Sequence, residues 1–457
     1  MKYRCAVVLL LAGLAGCTMH PAGESHLRLA AAQAGKPFAK PYAERHLPPL
    51  PIKATPHQLV AYALVNNPAV EQAYWNWRSA IDQIPQAGTE PTTVMLNAGT
   101  LLTNGTASLA NSTLGVSNMG SADIRWPSKM SVQAKRALHQ AKAAEWKYMS
   151  ARFSLRRDVL IAWYRYVSTF QLLKLTRLQL ANIRSAVMLR KVAVSTGGPT
   201  ADWLAGENSI DTLRVRMAAL KARIPSLLAR LNAVLGRSAT AALDPPSALP
   251  AVHGPSLNDR ELLQLAVRRN PNLRELRQLQ KSGKLSIQRA KMQYIPNFDL
   301  GLSTSLDGTV QNLTGALIMP LFQYQSINAS IAQAQSNLRA ADAMLRGGKI
   351  SLDAELTIDL LALHDDQFRM RIFSKKILPR IKMIASLVRS NYQQGTAGIQ
   401  GQIRARRMEL EIQATMLDLR TDALERMADL DAIVALPLSH IPVHTKATVV
   451  SAGKPST

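Results

Sequence analysis

Residues 128–194 contain neither proline nor glycine, the two residues that most often end a helix. A single helix of these 67 residues would be about 100 Å long at 1.5 Å per residue. After a turn at 195–199, apolar residues recur at alternating spacings of three and four, at Ile210, Leu213, Met217, Leu220, Ile224, Leu227, Leu231 and Val234. This spacing is typical of a coiled-coil seam and not of a globular core face. The stretch 127–236 therefore predicts a long helical hairpin, with a kink at Pro225.

The overall composition agrees with long helices. Aromatic residues make up only 5% of the chain, and segments rich in Ala, Leu, Arg and Gln favour extended helices over several compact cores. The formal net charge of +25 raises nucleic acid as a partner, but the basic residues are scattered along helix faces without a recognisable reader motif. We expect no nucleic-acid ligand. The alternatives are a solvated basic surface and a surface that faces anionic lipid or an acidic partner.

The N-terminus predicts export. Lys2 and Arg4 precede an apolar run, so residues 1–16 have the pattern of a signal peptide. The sequence Leu-Ala-Gly-Cys that ends at Cys17 resembles the lipobox of bacterial lipoproteins, which implies lipidation of Cys17 as the first residue of the mature protein. The alternative is a coincidental cysteine in an ordinary signal peptide. After cleavage one cysteine remains, which excludes an intramolecular disulfide.

The next residues predict a tether and two short helices. Residues 17–54 are rich in proline with little periodicity, which favours an extended, lipid-anchored tether. Thr55 is a predicted N-cap with Pro56 at the first helical position. A second helix is expected from Val70 to about Ile84, ending before Pro85.

Two segments have the pattern of strand pairs, at 92–126 and 297–320. In the first we expect strands at about 92–103 and 113–126. The second alternates more clearly, since Phe298, Leu300 and Leu302 point one way and the intervening polar or small residues point the other. An apolar face opposite a polar face is what a membrane barrel with a wet lumen requires. A half-buried soluble hairpin is the alternative.

The second half of the chain repeats the first. Leu59, Ala63, Asn67, Pro68 and Val70 correspond to Leu262, Ala266, Asn270, Pro271 and Leu273 at a constant offset of 203 residues. The offset drifts to 199 at Leu231 and Leu430. A period near 200 indicates a duplicated domain.

This duplication sets the predicted domain boundaries. The first repeat covers 55–243, a linker 244–257 and the second repeat 258–436, before a flexible tail at 437–457. The second long hairpin is expected at 321–436. Gly347-Gly348 should interrupt its outgoing arm, and Pro379 should kink it.

Four strands per chain cannot close a barrel, and open strand edges are not tolerated in lipid. Three chains would supply twelve strands, an even number within the range of bacterial barrels. The same assembly would set twelve helical arms side by side as a tube. The predicted fold class is therefore mainly α with a small β-barrel portion: duplicated long α-helical hairpins plus four membrane strands per chain, forming a trimeric twelve-stranded barrel and a helical tunnel.

The ordered motifs of the chain resemble the TolC family of outer-membrane efflux proteins over about residues 55–436. The resemblance is carried by the doubled layout and by five short sequences: Asn67-Pro68, Asn270-Pro271, Pro320-Leu321-Phe322, Ile377-Leu378-Pro379 and Tyr392-Gln393-Gln394-Gly395. It implies a homotrimer in the outer membrane, in contact with its lipid and reaching into the periplasm. Its implied function is the exit duct of a tripartite efflux system. The implied partners are a periplasmic adaptor (membrane fusion) protein and an inner-membrane pump of the RND, ABC or MFS type.

The turns at the far ends of the two hairpins are the predicted gating or docking sites, around Gly197 and Gly198 in the first repeat and Gly395 in the second. In relatives, carboxylates near the start of the returning arms form acidic rings that favour cations. Asp202 fits that position, whereas the corresponding positions of the second repeat hold Gly401 and Arg404. If Arg404 faces the lumen, the entrance should be less cation-selective. The alternative is that Arg404 lies on an outer helix face.

We expect no enzyme, no metal site and no cofactor. The sequence has no phosphate-binding glycine loop, no nucleophile elbow and no histidine pair at ligand spacing with a third partner. Two alternatives to an efflux duct remain. One is the outlet of a type I polypeptide secretion system, and the other is a non-conducting, lipid-anchored periplasmic coiled-coil scaffold.

Overall fold

The structure is a computed structural model that describes residues 18–45, 47–89, 95–102, 105, 107–117, 124–195, 200–244, 248–252, 254–255, 257–307, 310–394 and 399–438. The α-helices, in chain order, are α1 (Glu24–Ala34), α2 (Pro56–Asn66), α3 (Pro68–Gly88), α4 (Pro127–Ser195), α5 (Thr200–Leu235), α6 (Asp259–Arg269), α7 (Pro271–Lys291), α8 (Tyr324–Ile372), α9 (Leu378–Gln393) and α10 (Ile399–Val434). The strands are β1 (Met95–Thr100), β2 (Ser112–Ser117), β3 (Asn297–Ser305) and β4 (Gln311–Ile318). The predicted fold class, mainly helical with a small strand portion, is confirmed for the single chain.

The two long hairpins form as continuous helices. The proline- and glycine-free stretch is one helix, α4, and α5 returns along it. The predicted seam of α5 is its buried side, with Leu213 and Leu220 at 9% exposure and Leu231 fully buried. Pro225 lies inside α5, which continues through it. The seam therefore holds the helix together across the lost hydrogen bond.

Two predicted interruptions are wrong. Helix α3 runs through Pro85 to Gly88, because Ile81 and Ile84 are fully buried immediately before the proline and fix that turn. Helix α8 runs through Gly347-Gly348. A Cβ on Gly348 would lie 2.9 Å from Leu276 Cδ1, so glycine here permits a close helix contact instead of a break. At Pro379, where a kink was expected, α9 continues through the proline, and a π-helical turn at Phe373–Ile377 precedes it.

The segment 17–54 is not wholly extended, which corrects the predicted tether. Residues Glu24–Ala34 form α1, and short 3-10 turns follow at Lys36–Phe38 and Tyr42–Glu44. Leu27 and Ala31 lie one turn apart on the buried side of α1. Burial of this apolar stripe stabilises a helix that proline content alone does not reveal.

The chain forms two compact units, and each combines parts of both repeats. Unit 1 comprises the described parts of Met1–Ala39, Gln72–Tyr148 and Pro271–Lys349. Its helical core contains an aromatic cluster in which Trp77 stacks on Tyr148 with centroids 5.5 Å apart and Phe38 packs against Tyr74 at 5.2 Å. Unit 2 comprises the described parts of Lys40–Glu71, Met149–Asn270 and Ile350–Thr457.

All four strands belong to unit 1 and form one antiparallel sheet of order β1-β2-β3-β4. The predicted strand pairs of the two repeats are the hairpins β1–β2 and β3–β4, with shorter strands in the first repeat than predicted. The repeats are joined by β2 and β3, whose register runs from Thr113 opposite Ser305 to Ser117 opposite Gly301. The sheet thus leaves β1 and β4 as its two edges.

In unit 2, the repeated Asn-Pro motif connects each short helix to a returning arm. The Asn67 side-chain amide donates to the Val234 carbonyl at 2.8 Å, and the Asn270 amide donates to the Ile433 carbonyl at 3.0 Å. Each asparagine thereby satisfies a carbonyl that a helix C-terminus leaves without an intrahelical donor. The motif was predicted as a helix end, and the structure adds its role as a cap for a second helix.

Candidate functional site

The sheet has two chemically different faces. Side chains alternate along each strand, and the register aligns them across all four. Most of the large apolar residues share one face: Leu96, Leu114, Val116, Phe298, Leu300, Leu302, Leu313 and Leu317. Met95 and Ile318, at strand ends, lie on the opposite face. Leu96 and Leu313 are 78% and 76% exposed. A soluble protein rarely exposes a continuous apolar sheet face, so this face needs a non-aqueous or protein neighbour.

The opposite face is mainly polar or small along the middle of every strand: Asn97, Gly99, Thr113, Gly115, Ser117, Asn297, Asp299, Gly301, Ser303, Asn312 and Thr314. This face suits contact with water. The predicted apolar and polar alternation of β3 therefore extends to a whole four-stranded sheet.

Exposed aromatic residues gather where the strands meet the helices. Trp126 packs against Phe298 with centroids 5.3 Å apart, and its indole Nε1 donates to the Pro296 carbonyl at 2.7 Å. Phe322 and Tyr324, which follow β4, are both exposed. Aromatic rings with a polar edge at the end of an apolar band are typical of a membrane interface.

The far ends of the hairpins in unit 2 share one apolar cluster. Its buried members are Leu180, Ile183, Val187, Ile210, Leu213, Ile403 and Leu410. It joins α4 and α5 of the first repeat to α10 of the second. A Cβ on Gly206 would lie 2.5 Å from Val187 Cγ2, so α4 and α5 approach closely at this glycine. Sequence reasoning missed Gly206, although a glycine inside a helical seam is a recognisable signal.

The predicted turn residues are placed only in part. Cys17, Gly197, Gly198 and Gly395 lie outside the described residues. Asp202 lies in the first turn of α5, and its side chain is outside the description.

Gly401 and Arg404 lie one turn apart on α10, and both are exposed in the single chain. A Cβ on Gly401 would make an ordinary contact with Val388 Cγ1 at 3.4 Å, so Gly401 is not required for close packing. The exposure of Arg404 agrees with either of its two expected positions.

An acidic stripe on α10 pairs with arginines of neighbouring helices in unit 2. Glu425 accepts two hydrogen bonds from Arg165 of α4, at 2.7 and 2.6 Å. Asp429 lies 3.7 Å from Arg157. Arg426, the residue after Glu425, forms a salt bridge with Asp359 of α8 at 3.2 Å. This network connects helices of both repeats. Its signal was present in the sequence as Asp and Glu at spacings of three and four.

Burial dominates the electrostatics of these carboxyl groups. It raises the pKa of Asp429 to about 6, with a further contribution from Asp359, and together these outweigh attraction to Arg157 and Arg426. Burial likewise raises the pKa of Asp359, Asp366, Asp418 and Asp422. Burial therefore disfavours the ionised form of these carboxyl groups, although arginines lie beside several of them.

None of the helices in the described parts of the chain is long and apolar enough to cross a bilayer.

The fold is that of known outer-membrane channels. The open-state Neisseria gonorrhoeae MtrE outer membrane channel matches with a TM-score of 0.70 and 18% identity, over 84% of this chain and 89% of that chain. The Campylobacter jejuni CmeC outer membrane channel gives 0.70 and 13%, over 88% and 91%. The Vibrio cholerae outer membrane protein VceC gives 0.69 and 15%, over 84% and 96%. No protein-family model and no curated protein sequence matches. The chain therefore has the TolC-like fold.

Proposed function

We propose that this chain is the outer-membrane channel of a tripartite efflux system, a passive exit duct assembled from three copies. The observation that carries the proposal is the four-stranded sheet with one apolar and one polar face and two edge strands. An apolar outer face toward lipid and a polar inner face toward water are the requirements of a membrane barrel. The fold shared with outer-membrane channels supports the same function.

The sheet edges support assembly with further copies of the chain. In lipid, the backbone groups of β1 and β4 have no water to bond, so both edges need strand partners. Pairing β4 of one copy with β1 of the next closes a barrel, and three copies supply twelve strands.

Helix α8 supports the same assembly, because it presents apolar side chains to solvent in the single chain: Ile350, Ile358, Leu361 and Phe368 are exposed. A second copy would cover this face.

The proposed partners are a periplasmic adaptor and an inner-membrane pump. A passive duct supplies no energy, and the sequence carries no nucleotide-binding motif, so the pump must energise transport. We place docking or gating at the hairpin turns, around Gly197, Gly198 and Gly395, with Asp202 and Arg404 as the charged groups nearest the entrance. Acylation of Cys17 would anchor the chain to the outer membrane.

A matched pair of substitutions on edge strand β4 tests the membrane barrel. Leu313 and Asn312 are neighbours, both exposed in the single chain, and they point to opposite faces. In a barrel, Leu313→Arg places a charge in lipid at a cost of about 2–4 kcal/mol, whereas Asn312→Arg faces the lumen. We expect Leu313→Arg to abolish heat-resistant trimers in outer-membrane extracts and Asn312→Arg to preserve them. Equal tolerance of both would contradict the barrel.

Conductance separates the duct from the scaffold. Protein reconstituted into planar bilayers should give steady single-channel currents without any energy source. A heat-resistant trimer that never conducts would favour the scaffold. Co-purification with a secreted polypeptide and its ABC pump would instead identify a type I secretion outlet.

A further inference from the structure

We infer that the duct favours anionic over cationic solutes, because the outgoing arms of both hairpins carry almost only positive charge near the turns. We define the distal halves as residues 159–206 and 367–408, that is, these outgoing arms, the turns and the first residues of each returning arm as far as Glu207 and Glu409. The inference rests on the proposed function and names the class of solute that the duct would conduct best.

The charge count of these segments is one-sided. They contain sixteen basic residues: Arg165, Lys174, Arg177, Arg184, Arg190, Lys191, Arg369, Arg371, Lys375, Lys376, Arg380, Lys382, Arg389, Arg404, Arg406 and Arg407. They contain a single carboxylate, Asp202. The excess therefore extends far beyond Arg404 at the entrance.

Most of these cations lack a carboxylate partner. Arg165 pairs with Glu425, Arg369 with Asp365, Arg406 with Glu409 and Arg407 with Glu411. Ten others have exposed side chains and form no salt bridge with any described residue: Lys174, Arg177, Arg184, Arg371, Lys375, Lys376, Arg380, Lys382, Arg389 and Arg404. These ten groups set the local field.

The positive charge reaches more than one side of the hairpin. Lys376, in the π-helical turn, precedes Arg380 of α9 by four residues. On α9, Lys382 lies about 200° further around the helix than Arg380. Whichever side of these helices lines a lumen, its charged groups in the distal halves are basic, apart from Asp202. The outgoing arms therefore present basic groups whichever way they are rotated, whereas the returning arms add carboxylates from Glu207 and Glu409 onward.

A cavity of about 670 Å³ in unit 2, large enough for a small solute, also has basic side chains in its lining. Lys174, Arg371 and Arg420 line it together with apolar residues such as Leu178 and Met416, and no described lining residue is acidic. The Arg420 guanidinium is held by the Leu249 and Pro250 carbonyls, which are neutral. An organic anion with an apolar body fits this lining.

The carboxylates of the returning arms offset this field only in part, because several of them are already paired. In the first arm Asp211 pairs with Arg214. In the second arm Glu409, Glu411 and Glu425 pair with Arg406, Arg407 and Arg165. A narrow water-filled passage whose walls carry one sign of charge concentrates ions of the opposite sign. Three copies would contribute three sets of the ten unpaired cations.

Ion selectivity of the reconstituted full-length trimer tests the inference. In a gradient of KCl the reversal potential should give a higher permeability for chloride than for potassium. The preference should decline between 0.1 M and 1 M KCl, since the Debye length falls from about 10 Å to about 3 Å. The fourfold variant Lys375→Gln, Lys376→Gln, Arg380→Gln and Lys382→Gln should lower the chloride-to-potassium permeability ratio by about twofold or more.

The control is a fourfold variant of equal charge on α7, outside the distal halves: Lys281→Gln, Lys284→Gln, Arg289→Gln and Lys291→Gln. Heat-resistant trimers establish that both variants assemble. A ratio that changes only in the distal variant supports the inference. Cation preference in the wild-type channel, or equal shifts in both variants, would overturn it while leaving the duct intact. Absence of any current would instead overturn the proposed function on which it rests.

Discussion

The returning arms α5 and α10 end in the same way but carry opposite charge. At equivalent positions 199 residues apart, Leu231 and Leu430 are fully buried, and a polar residue follows each, Asn232 or Asp431. Both polar groups bond to backbone just beyond the helix: Asn232 donates to the Ala239 carbonyl, and Asp431 accepts from the Leu438 amide. Both arms thus end in the same way, with a polar side chain bonded to the backbone that follows the helix.

The charges of the two arms have diverged. Arg223 and Arg230 of α5 correspond to Asp422 and Asp429 of α10. The basic residues of α5 attract an acidic residue of α10, because Arg216 and Arg223 both act to lower the pKa of Asp418. A duplicated helix can therefore retain its packing while its surface becomes complementary to that of the other copy. Five substitutions sharpen this comparison.

The largest effect is expected at the end of the first arm. Gly236 has φ of 73°, and a Cβ there would lie 2.7 Å from the Asn66 carbonyl oxygen. Gly236→Ala should lower the free energy of unfolding by about 3 kcal/mol, because strain adds to a clash with backbone. Urea unfolding of the detergent-solubilised protein measures it. Gly347→Ala, where a Cβ meets nothing within 4 Å, is the control and should be neutral or slightly stabilising.

The acidic stripe of α10 should make stability depend on pH. The pKa of Asp429 is raised from 3.8 to about 6, so the folded state binds the proton more tightly than the unfolded state. Stability should rise as pH falls from 7 through 6 toward 4, because Asp429 becomes protonated in the folded state. The cost of burying its charged form is complete only above the folded pKa. Asp429→Asn should stabilise the protein at pH 7 by about 2–3 kcal/mol and flatten this profile. A profile unchanged by Asp429→Asn would contradict the assignment.

The Asn-Pro caps should contribute similarly in both repeats. Asn67→Ala and Asn270→Ala each remove an amide that bonds to the end of a returning arm. We expect a loss of about 1–2 kcal/mol for each, measured by urea unfolding. Asn67 Oδ1 also accepts from the Ala69 amide at 2.9 Å. A cost confined to one repeat would show that the caps are not equivalent.

The smallest effect is expected at the end of the second arm. Ala435 occupies the place of Gly236 with φ of 57°, in the left-handed region that favours glycine. Ala435→Gly should therefore stabilise the protein by about 1 kcal/mol, opposite in sign to Gly236→Ala. Destabilisation by Ala435→Gly would mean that the alanine methyl makes a contact that outweighs its backbone strain.

Sequence reasoning succeeded where the signal is local and periodic. The absence of breakers over 128–194 predicted α4, and the alternation at Phe298, Leu300 and Leu302 predicted the apolar face of β3. It failed at Pro85 and at Gly347-Gly348, where neighbouring helices decide whether a residue with weak helix propensity is tolerated. The turn residues and Cys17 remain predictions. The acidic stripe was missed because partners such as Arg165 are distant in sequence. Gly206 was missed although a glycine within a helical seam is a local signal.

The sequence by itself determined the elements and their duplication, since helical and strand periods and the placement of proline and glycine act over a few residues. Only the tertiary structure decided that β2 of one repeat pairs with β3 of the other, and that Asn67 and Asn270 cap the returning arms. The physical reason is that hydrogen bonds and close packing between distant segments depend on which surfaces meet, and local pattern does not encode that choice.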